Sequence, residues 1–332
     1  MGRASTAVDR TEGAGLAVVE RIAFIFPGQG AQYVGMGQEL AEAFPVVAQA
    51  LREAEKALGE PLSELLFHGP AERLGQTYYT QPAIVSLSVA IARLAASVVQ
   101  PYCVAGHSLG EYSALVAAGC LSLADAVRTV RLRARFMEEA VPPGTGTMAA
   151  VLGMHAQQVE EICAAAGGRG VVELATLNGG GQVVIAGTLQ GVETAMRLAL
   201  EAGARRVQPL SVSGPFHSSL LKSAGGCLRE SLHEVDLKPC DLPVYCNAYA
   251  RAVRDPDEIL EALVTQVSSP VRWEETVQTM RADGVNTFVE LGPGRVLSGL
   301  VRRIDPEARV FSVENPAGWS RFVAWAKGNG VR

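Results

Sequence analysis

The sequence predicts an α/β fold with a largely parallel, helix-covered sheet and a small second domain inserted into it. Strand and helix signals alternate along most of the 332 residues, which is typical of a parallel sheet. The strand signals are short apolar runs that stop at turn residues, and one central segment departs from the alternation. With 48% hydrophobic residues, the chain can bury a sizeable core and exceeds one small domain.

Four short apolar runs are the predicted strands of the large sheet. Ile22–Phe26 stops at Pro27-Gly28, and Cys103–Ala105 leads directly into a glycine-flanked turn. Val244–Cys246 and Thr287–Leu291 are each followed by turn residues. Because each run is almost wholly apolar rather than alternating, we expect these strands to be covered on both faces.

The central segment reads strand, helix, strand, strand, helix, strand, which is the ferredoxin-like order. We therefore expect a small domain over residues 145–211, inserted in a large domain that comprises 21–144 and 212–325, with residues 1–20 as a flexible extension. Asn178–Gly181 lacks the Lys-Ser/Thr of a phosphate loop and lies between two strands, so it predicts a hairpin turn. Two lobes leave a cleft between them, where ligand sites commonly lie.

Composition and charge exclude several classes of protein. The net charge of −5 offers no basic field for nucleic acid or an anionic membrane. The longest apolar stretch, Ala83–Val99, is interrupted by polar residues and predicts a buried helix rather than a membrane span. None of the six cysteines forms a CxxC pair, so we expect reduced cysteines, no metal site and a cytoplasmic protein.

The segment Gly106-His107-Ser108-Leu109-Gly110 has the GxSxG pattern of a nucleophile elbow. A strand precedes it and Glu111–Ala118 follows as a predicted helix, which is the context of the elbow in α/β-hydrolase-like sheets. The helix N-terminus directs N–H groups and a positive dipole toward an oxyanion formed beside the serine. The sequence therefore predicts an α/β-hydrolase-like large domain with Ser108 as the nucleophile.

His217 is the best-placed base for Ser108. It lies on a turn that follows the last strand of the small domain, at the expected cleft. His107 adjoins the nucleophile and cannot easily face it. No aspartate or glutamate on a turn between Ser108 and His217 supplies the acid of a triad. We therefore expect a Ser–His dyad whose imidazole is oriented by a main-chain carbonyl.

One arginine of the predicted helix Asp125–Ala140 lies on its apolar face. Arg133 is in line with Ala126, Val130 and Met137 at 3.6 residues per turn. The other arginines of this helix share the opposite, solvated face: Arg128, Arg131 and Arg135. A buried guanidinium needs a partner, because an uncompensated buried charge is costly. Helix geometry alone leaves two partners open, an internal glutamate or a substrate carboxylate that the planar fork would bind.

Ordered motifs from Ile22 to Glu314 resemble the malonyl-CoA:acyl carrier protein transacylase family and the acyltransferase domains of polyketide synthases. The motifs are Phe26-Pro27-Gly28-Gln29-Gly30-Ala31-Gln32, Thr80-Gln81-Pro82-Ala83, Gly106-His107-Ser108-Leu109-Gly110-Glu111-Tyr112-Ser113-Ala114, Gln182-Val183-Val184-Ile185-Ala186-Gly187, Pro215-Phe216-His217, Pro270-Val271-Arg272-Trp273 and Glu290-Leu291-Gly292-Pro293-Gly294. The resemblance implies that Ser108 carries the acyl group and that His217 is the base.

The resemblance also implies roles for further residues. The backbone N–H groups of Gln29 and Leu109 would form the oxyanion hole, Arg133 would bind the malonyl carboxylate, and the main-chain carbonyl of Gln266 would orient the histidine. The expected pocket and selectivity residues are Gln81, His107 and Phe216. Phe216 stands where fatty-acid enzymes usually have Ser. It is similar to the malonyl-selective polyketide type, in which the ring would crowd a 2-methyl branch.

The implied reaction moves malonyl from malonyl-CoA to the phosphopantetheine thiol of an acidic acyl carrier protein, in fatty-acid or polyketide synthesis, without a cofactor. One alternative is an acyl hydrolase of the same fold that clears acyl chains from carrier proteins and has no need of Arg133. A second is a non-catalytic carrier-binding protein, against which the intact Ser108, His217 and Arg133 argue.

Overall fold

The computed structural model describes residues 20–142 and 144–330. All but Glu20 of the predicted extension at residues 1–20 lies outside the described residues. Within that part of the chain, the structure has two separate sheets with helices packed around them. The ten strands are β1 (Ile22–Phe26), β2 (Cys103–Gly106), β3 (Gly146–Leu152), β4 (Val172–Gly179), β5 (Gln182–Thr188), β6 (Arg206–Pro209), β7 (Val244–Cys246), β8 (Arg251–Val253), β9 (Thr287–Leu291) and β10 (Arg309–Val313).

The large sheet has the strand order β10-β9-β1-β2-β7-β8 and is parallel except for the antiparallel edge strand β8. This confirms the predicted mostly parallel sheet. Residues of β1 alternate between two apolar clusters, with Phe24 and Phe26 in one and Ala23 and Ile25 in the other. Successive side chains of a strand point to opposite faces, so the buried centre of this sheet is covered on both sides.

The small sheet has the order β4-β5-β3-β6, and all its pairings are antiparallel. This is the ferredoxin-like arrangement that the sequence predicts. The β4–β5 turn contains Gly179, Gly180 and Gly181, all with positive φ, which glycine adopts without a steric cost. The turn is therefore the predicted hairpin. The assignment of residues 145–211 to a separate domain stays a prediction.

The described part of the chain contains fourteen α-helices. They are α1 (Gln38–Ala43), α2 (Pro45–Leu58), α3 (Leu62–His68), α4 (Ala71–Leu74), α5 (Thr77–Ala96), α6 (Gly110–Ala117), α7 (Leu123–Ala140), α8 (Ala156–Ala166), α9 (Leu189–Glu201), α10 (Lys222–His233), α11 (Pro256–Val267), α12 (Trp273–Ala282), α13 (Val296–Ile304) and α14 (Pro316–Gly328). Helix α5 contains the longest apolar stretch and is buried along most of its length. No helix in the described part is apolar enough over a sufficient length to cross a membrane.

The two sheets are connected beside the cleft at two points. Val271 pairs with the middle of β4, where its N–H donates to Ala175 O and its carbonyl accepts from Leu177 N. Glu173, also on β4, accepts from both the backbone N–H and the hydroxyl of Ser219, each at 2.7 Å. Since Ser219 follows His217 by two residues, the small sheet helps to position the segment that carries the histidine.

The expectation that all six cysteines are reduced is wrong for one pair. Cys120 and Cys240 form a disulfide, with their Cα atoms 4.6 Å apart. Cys120 follows α6 and Cys240 precedes β7, and they are 120 residues apart in the chain. Sequence spacing could not reveal this pair because only the fold brings the two segments together. Cys103, Cys163, Cys227 and Cys246 are free thiols.

Candidate active site

Ser108 lies in the turn between β2 and α6. Its φ is +51°, a left-handed conformation that is uncommon for residues other than glycine. A Cβ on Gly106 would lie 1.9 Å from Gly110 C, and a Cβ on Gly110 would lie 2.1 Å from Phe26 O. These two positions therefore require glycine so that strand and helix can approach closely enough to form the elbow.

Asn247, at the end of β7, bridges the backbone on both sides of the elbow. Its Oδ1 accepts from the Ser108 N–H at 2.6 Å, and its Nδ2 donates to Gly106 O at 2.7 Å. The side chain is fully buried. A strained backbone persists only where the surrounding structure holds it, and Asn247 provides two of the hydrogen bonds that do so.

His217 contacts Ser108 directly. Its Nε2 lies 2.6 Å from Ser108 Oγ, and its Nδ1 donates to the main-chain carbonyl of Gln266 at 2.8 Å. The carbonyl can only accept, so it fixes the proton on Nδ1 and leaves Nε2 free to accept from the hydroxyl. Burial, aided by the Arg133 charge and opposed by the Gln266 carbonyl, lowers the pKa of His217 to about 3. The imidazole is therefore neutral and ready to take a proton.

Arg133 of α7 is 2% exposed and lies beside the dyad. One terminal nitrogen, Nη2, donates to Gln266 Oε1 at 3.1 Å and lies 3.4 Å from Ser108 Oγ. Its Nε has no hydrogen-bond partner, and the guanidinium forms no salt bridge with any residue of 20–142 and 144–330. Burial lowers the guanidinium pKa, while Tyr112 and Glu111 raise it. The sequence left two partners open for Arg133, an internal glutamate or a substrate carboxylate. Within the described residues, no acidic side chain forms an ion pair with it.

The Ser108 hydroxyl opens into a cleft of about 410 Å³ between the two sheets. One wall is the loop after β1, a second is formed by the small sheet with Met148 and Val184, and a third is α13 with Leu297 and Leu300. The apolar walls and few polar groups are typical of a site for a small molecule.

The two predicted oxyanion donors have free N–H groups. Neither Gln29 nor Leu109 donates its backbone N–H to any acceptor in the described residues. Leu109 precedes α6, and Gln29 lines the cleft on the loop after β1. At Gly28 a Cβ would lie 2.5 Å from His107 O, so glycine allows this loop to pack against the elbow. Both donors thus belong to segments that meet at Ser108.

The three predicted pocket residues differ in position. Phe216 and His107 line the cleft, and the His107 Nε2 atom lies 2.8 Å from Asn178 Oδ1 on the small sheet. Gln81 is fully buried on α5, where its Nε2 contacts Met137 Sδ at 3.9 Å, and it does not line this cleft. The selectivity roles of all three stay predictions.

Sequence reasoning missed Glu111 and Asn247. Asn247 directly follows the predicted strand Val244–Cys246, and a polar residue at the carboxyl end of a parallel strand could have drawn attention to it. Glu111 is 2% exposed and accepts hydrogen bonds from Asn247 N and Gln266 Nε2. Glutamate is common in the first turn of a helix for electrostatic reasons alone, so the sequence did not distinguish Glu111 from an ordinary helix-start residue.

Comparison with known proteins gives the family of the chain. Residues 23–314 match the acyl transferase domain family. The chain is 49% identical over 300 residues to a malonyl CoA-acyl carrier protein transacylase of Bacillus subtilis, covering 90% of this chain and 95% of that protein. It is 43% identical over 299 residues to the protein of the same description from Escherichia coli K12, with 90% and 97% covered.

Two solved structures have the same fold. An acyl-carrier-protein S-malonyltransferase from Burkholderia pseudomallei 1710b superposes with a TM-score of 0.89 at 47% identity, covering 92% of this chain and 99% of that one. A malonyl-transacylase in complex with its type II PKS acyl-carrier protein gives a TM-score of 0.90 at 41% identity, with 92% and 99% covered. Family match, identity and fold agree over most of the chain, and the protein belongs to the malonyl CoA-acyl carrier protein transacylase family.

Proposed function

We propose that this protein is a malonyl-CoA:acyl carrier protein S-malonyltransferase that works through an acyl-serine intermediate. One observation carries the malonyl assignment. The guanidinium of Arg133 is buried, lacks a salt bridge in the described residues, and lies 3.4 Å from the Ser108 hydroxyl. A substrate with a carboxylate close to its thioester would compensate this charge, and malonyl has that chemistry.

In the first half-reaction, malonyl-CoA enters with its carboxylate on Arg133. His217 Nε2 removes the Ser108 proton while the serine oxygen attacks the thioester carbonyl. The N–H groups of Gln29 and Leu109 stabilise the oxyanion. When the tetrahedral intermediate collapses, the C–S bond breaks, the CoA thiolate receives the proton from His217, and malonyl remains on Ser108 as an ester.

In the second half-reaction, the phosphopantetheine thiol of the carrier protein gives its proton to His217 and attacks the ester. Collapse returns the proton to Ser108 and leaves malonyl as a thioester on the carrier. The steps need only a nucleophile, a base and oxyanion donors, so the proposed reaction uses no metal or redox cofactor. The cytoplasmic location expected from the sequence stays a prediction.

The carrier protein would dock on arginines that no acid neutralises. On α7, Arg128, Arg131 and Arg135 each form a salt bridge with an acidic side chain. By contrast, Arg303 donates to Gln182 Oε1 and Arg302 to Val310 O, both neutral acceptors. Gln182 and the side of α13 line the cleft. We therefore place an acidic carrier at this mouth, with the exposed Arg205 and Arg206 at the start of β6 as further candidates.

The test is intact-mass analysis of the enzyme after incubation with malonyl-CoA and acetyl-CoA. We expect a malonyl adduct on Ser108, and we expect Arg133→Ala to lower malonyl loading by about 100-fold because a charge-assisted contact is lost. Arg135→Ala, on the exposed face of the same helix, is the matched control and should load normally.

Two outcomes would contradict the proposal. If Arg133→Ala still preferred malonyl over acetyl, the guanidinium would not bind the carboxylate. If free malonate were released rapidly without an accumulating adduct, the protein would be an acyl hydrolase that uses the same Ser108 and His217.

A further inference from the structure

A buried carboxylate lies behind the dyad and has no part in the reaction steps above. Glu111 is 2% exposed, on the first turn of α6. Its Oε2 accepts from Asn247 N at 2.9 Å and from Gln266 Nε2 at 3.0 Å. It forms no salt bridge within the described residues, although it is close enough to Arg133 to influence the guanidinium pKa. A buried charge without an ion pair is costly, which calls for a functional explanation.

Glu111 restricts the orientation of one amide. Gln266 Nε2 donates to Glu111 Oε2 and to Ser108 O, each at 3.0 Å. The Ser108 carbonyl can only accept, and Glu111 Oε2 already accepts from Asn247 N, so the amide nitrogen must face these two oxygens. The opposite side of the amide, Oε1, then faces Arg133 Nη2 at 3.1 Å. A flipped amide would set two donors against each other at the guanidinium.

Gln266 consequently contacts both the imidazole and the guanidinium of the site. Its main-chain carbonyl accepts from His217 Nδ1, while its side-chain oxygen accepts from Arg133. The main-chain contact does not depend on the amide orientation, whereas the contact with Arg133 does. Loss of Glu111 should therefore affect the guanidinium more than the imidazole.

We propose that Glu111 is a positioning residue for carboxylate recognition, which fixes the Gln266 amide and through it the guanidinium of Arg133. This inference rests on the proposed malonyl transfer. Glu111 also accepts from Asn247, which supports the elbow, so its loss should slow loading with any acyl-CoA to some extent. A purely structural role would slow malonyl and acetyl loading equally. A positioning role lowers their ratio.

The experiment measures the ratio of malonyl to acetyl loading rates on Ser108. For Glu111→Ala we expect this ratio to fall about tenfold, since acetyl makes no use of Arg133. Glu111→Gln can place its amide oxygen where Oε2 lies and keep both hydrogen bonds, so it should retain most of the ratio. A parallel fall of both rates in Glu111→Ala, or an equal loss of ratio in Glu111→Gln, would overturn the proposal.

A double-mutant cycle tests whether Glu111 acts through Gln266. Gln266→Leu removes the amide but keeps the main-chain carbonyl that contacts His217. If the proposal holds, Gln266→Leu lowers the ratio and adding Glu111→Ala changes it no further. Additive effects would refute the pathway through the amide. If Glu111→Ala folds poorly, Gln266→Leu by itself still tests the contact with Arg133, and an unchanged ratio in this variant would refute the proposal.

Glu290→Gln is the matched control. Glu290 is also buried, but its carboxylate accepts from Leu297 N and Ser298 N of α13, away from Arg133. Its substitution should leave the malonyl to acetyl ratio unchanged.

The loading ratio of the wild-type protein distinguishes failure of the proposed function from failure of the positioning role. A wild type without a malonyl preference would refute the proposed function, whereas a wild-type preference that survives Glu111→Ala refutes only the positioning role.

Discussion

Two residues in the site, Ser108 and His217, have backbone conformations that are rare for their residue types. Their φ angles are +51° and +62°. Such conformations cost about 1–3 kcal/mol each and are found mainly at functional sites, where surrounding groups hold them. The groups that hold Ser108 in place are the Asn247 side chain and the glycine-lined contact between β2 and α6.

Asn247→Ala should slow loading of Ser108 without abolishing the fold. The substitution leaves the Ser108 N–H and the Gly106 carbonyl without their side-chain partner, which should cost about 1–3 kcal/mol of unfolding free energy. Stopped-flow acyl-enzyme formation and urea denaturation measure the two effects. Loading at the wild-type rate, despite a lower unfolding free energy, would show that the elbow does not depend on Asn247.

The buried imidazole predicts an unusual pH profile. Because burial lowers the pKa of His217 to about 3, the base stays neutral at all pH values above that. Burial also raises the pKa of Glu111 to about 7, so this carboxyl group would titrate in the same pH range. The variant Glu111→Gln removes that titration from the profile. In this variant, the loading rate should be constant from pH 8 to pH 5. An inflection at the ordinary histidine value of 6.5 would contradict the prediction.

The same shift affects stability, with a definite sign. The unfolded chain binds a proton on this histidine below pH 6.5, whereas the folded chain does so only below about 3. Over this interval the unfolded state therefore binds more protons than the folded state. His217 should reduce the unfolding free energy as the pH falls from 6.5 toward 3. Denaturation of wild type and His217→Ala at both ends of the interval measures this contribution.

At the scale of the elements, the contact between β1, β2 and α6 depends on the absence of a side chain at Gly110. A Cβ there would lie 2.1 Å from Phe26 O, in backbone that cannot move without separating helix from sheet. Gly110→Ala should therefore destabilise the protein by more than about 3 kcal/mol and remove loading activity.

The same substitution in another helix is the control. Gly226 lies in the exposed part of α10, and a Cβ there would meet no atom within 4 Å. Gly226→Ala should stabilise the protein by up to about 1 kcal/mol, because alanine is the better helix former. Equal melting temperatures for the two variants would show that the close approach at Gly110 is unimportant.

The elements that the sequence predicted best are those with an uninterrupted pattern. Strands β7 and β9 match their predicted bounds, and Arg133 lies on the buried face that helical periodicity assigned to it. The edge strands β8 and β10 could not be predicted in this way, since they are short or half-exposed and lack a continuous apolar run. Contacts between distant segments, such as Glu111 with Gln266, have no local pattern at all.

At the scale of the whole molecule, the two sheets and α13 surround one cleft, and Arg303 of α13 donates to Gln182 in its wall. Arg302→Ala with Arg303→Ala should raise the KM for the carrier protein and flatten its dependence on salt. Loading from malonyl-CoA in the absence of carrier should change much less. Arg128→Ala with Arg131→Ala, on salt-bridged arginines, is the control pair. Equal effects of the two pairs on transfer would place the docking surface elsewhere.

The buried guanidinium of Arg133 forms no salt bridge with an acid of the described residues, and this bears on how long an acylated enzyme lasts. The carboxylate of a malonyl ester on Ser108 would form an ion pair with this guanidinium. The malonylated protein should then melt at a higher temperature than the free protein, whereas an acetylated one should not. The ion pair would also hold the ester in one orientation and so slow its loss to water, so that the acyl group persists until a carrier arrives.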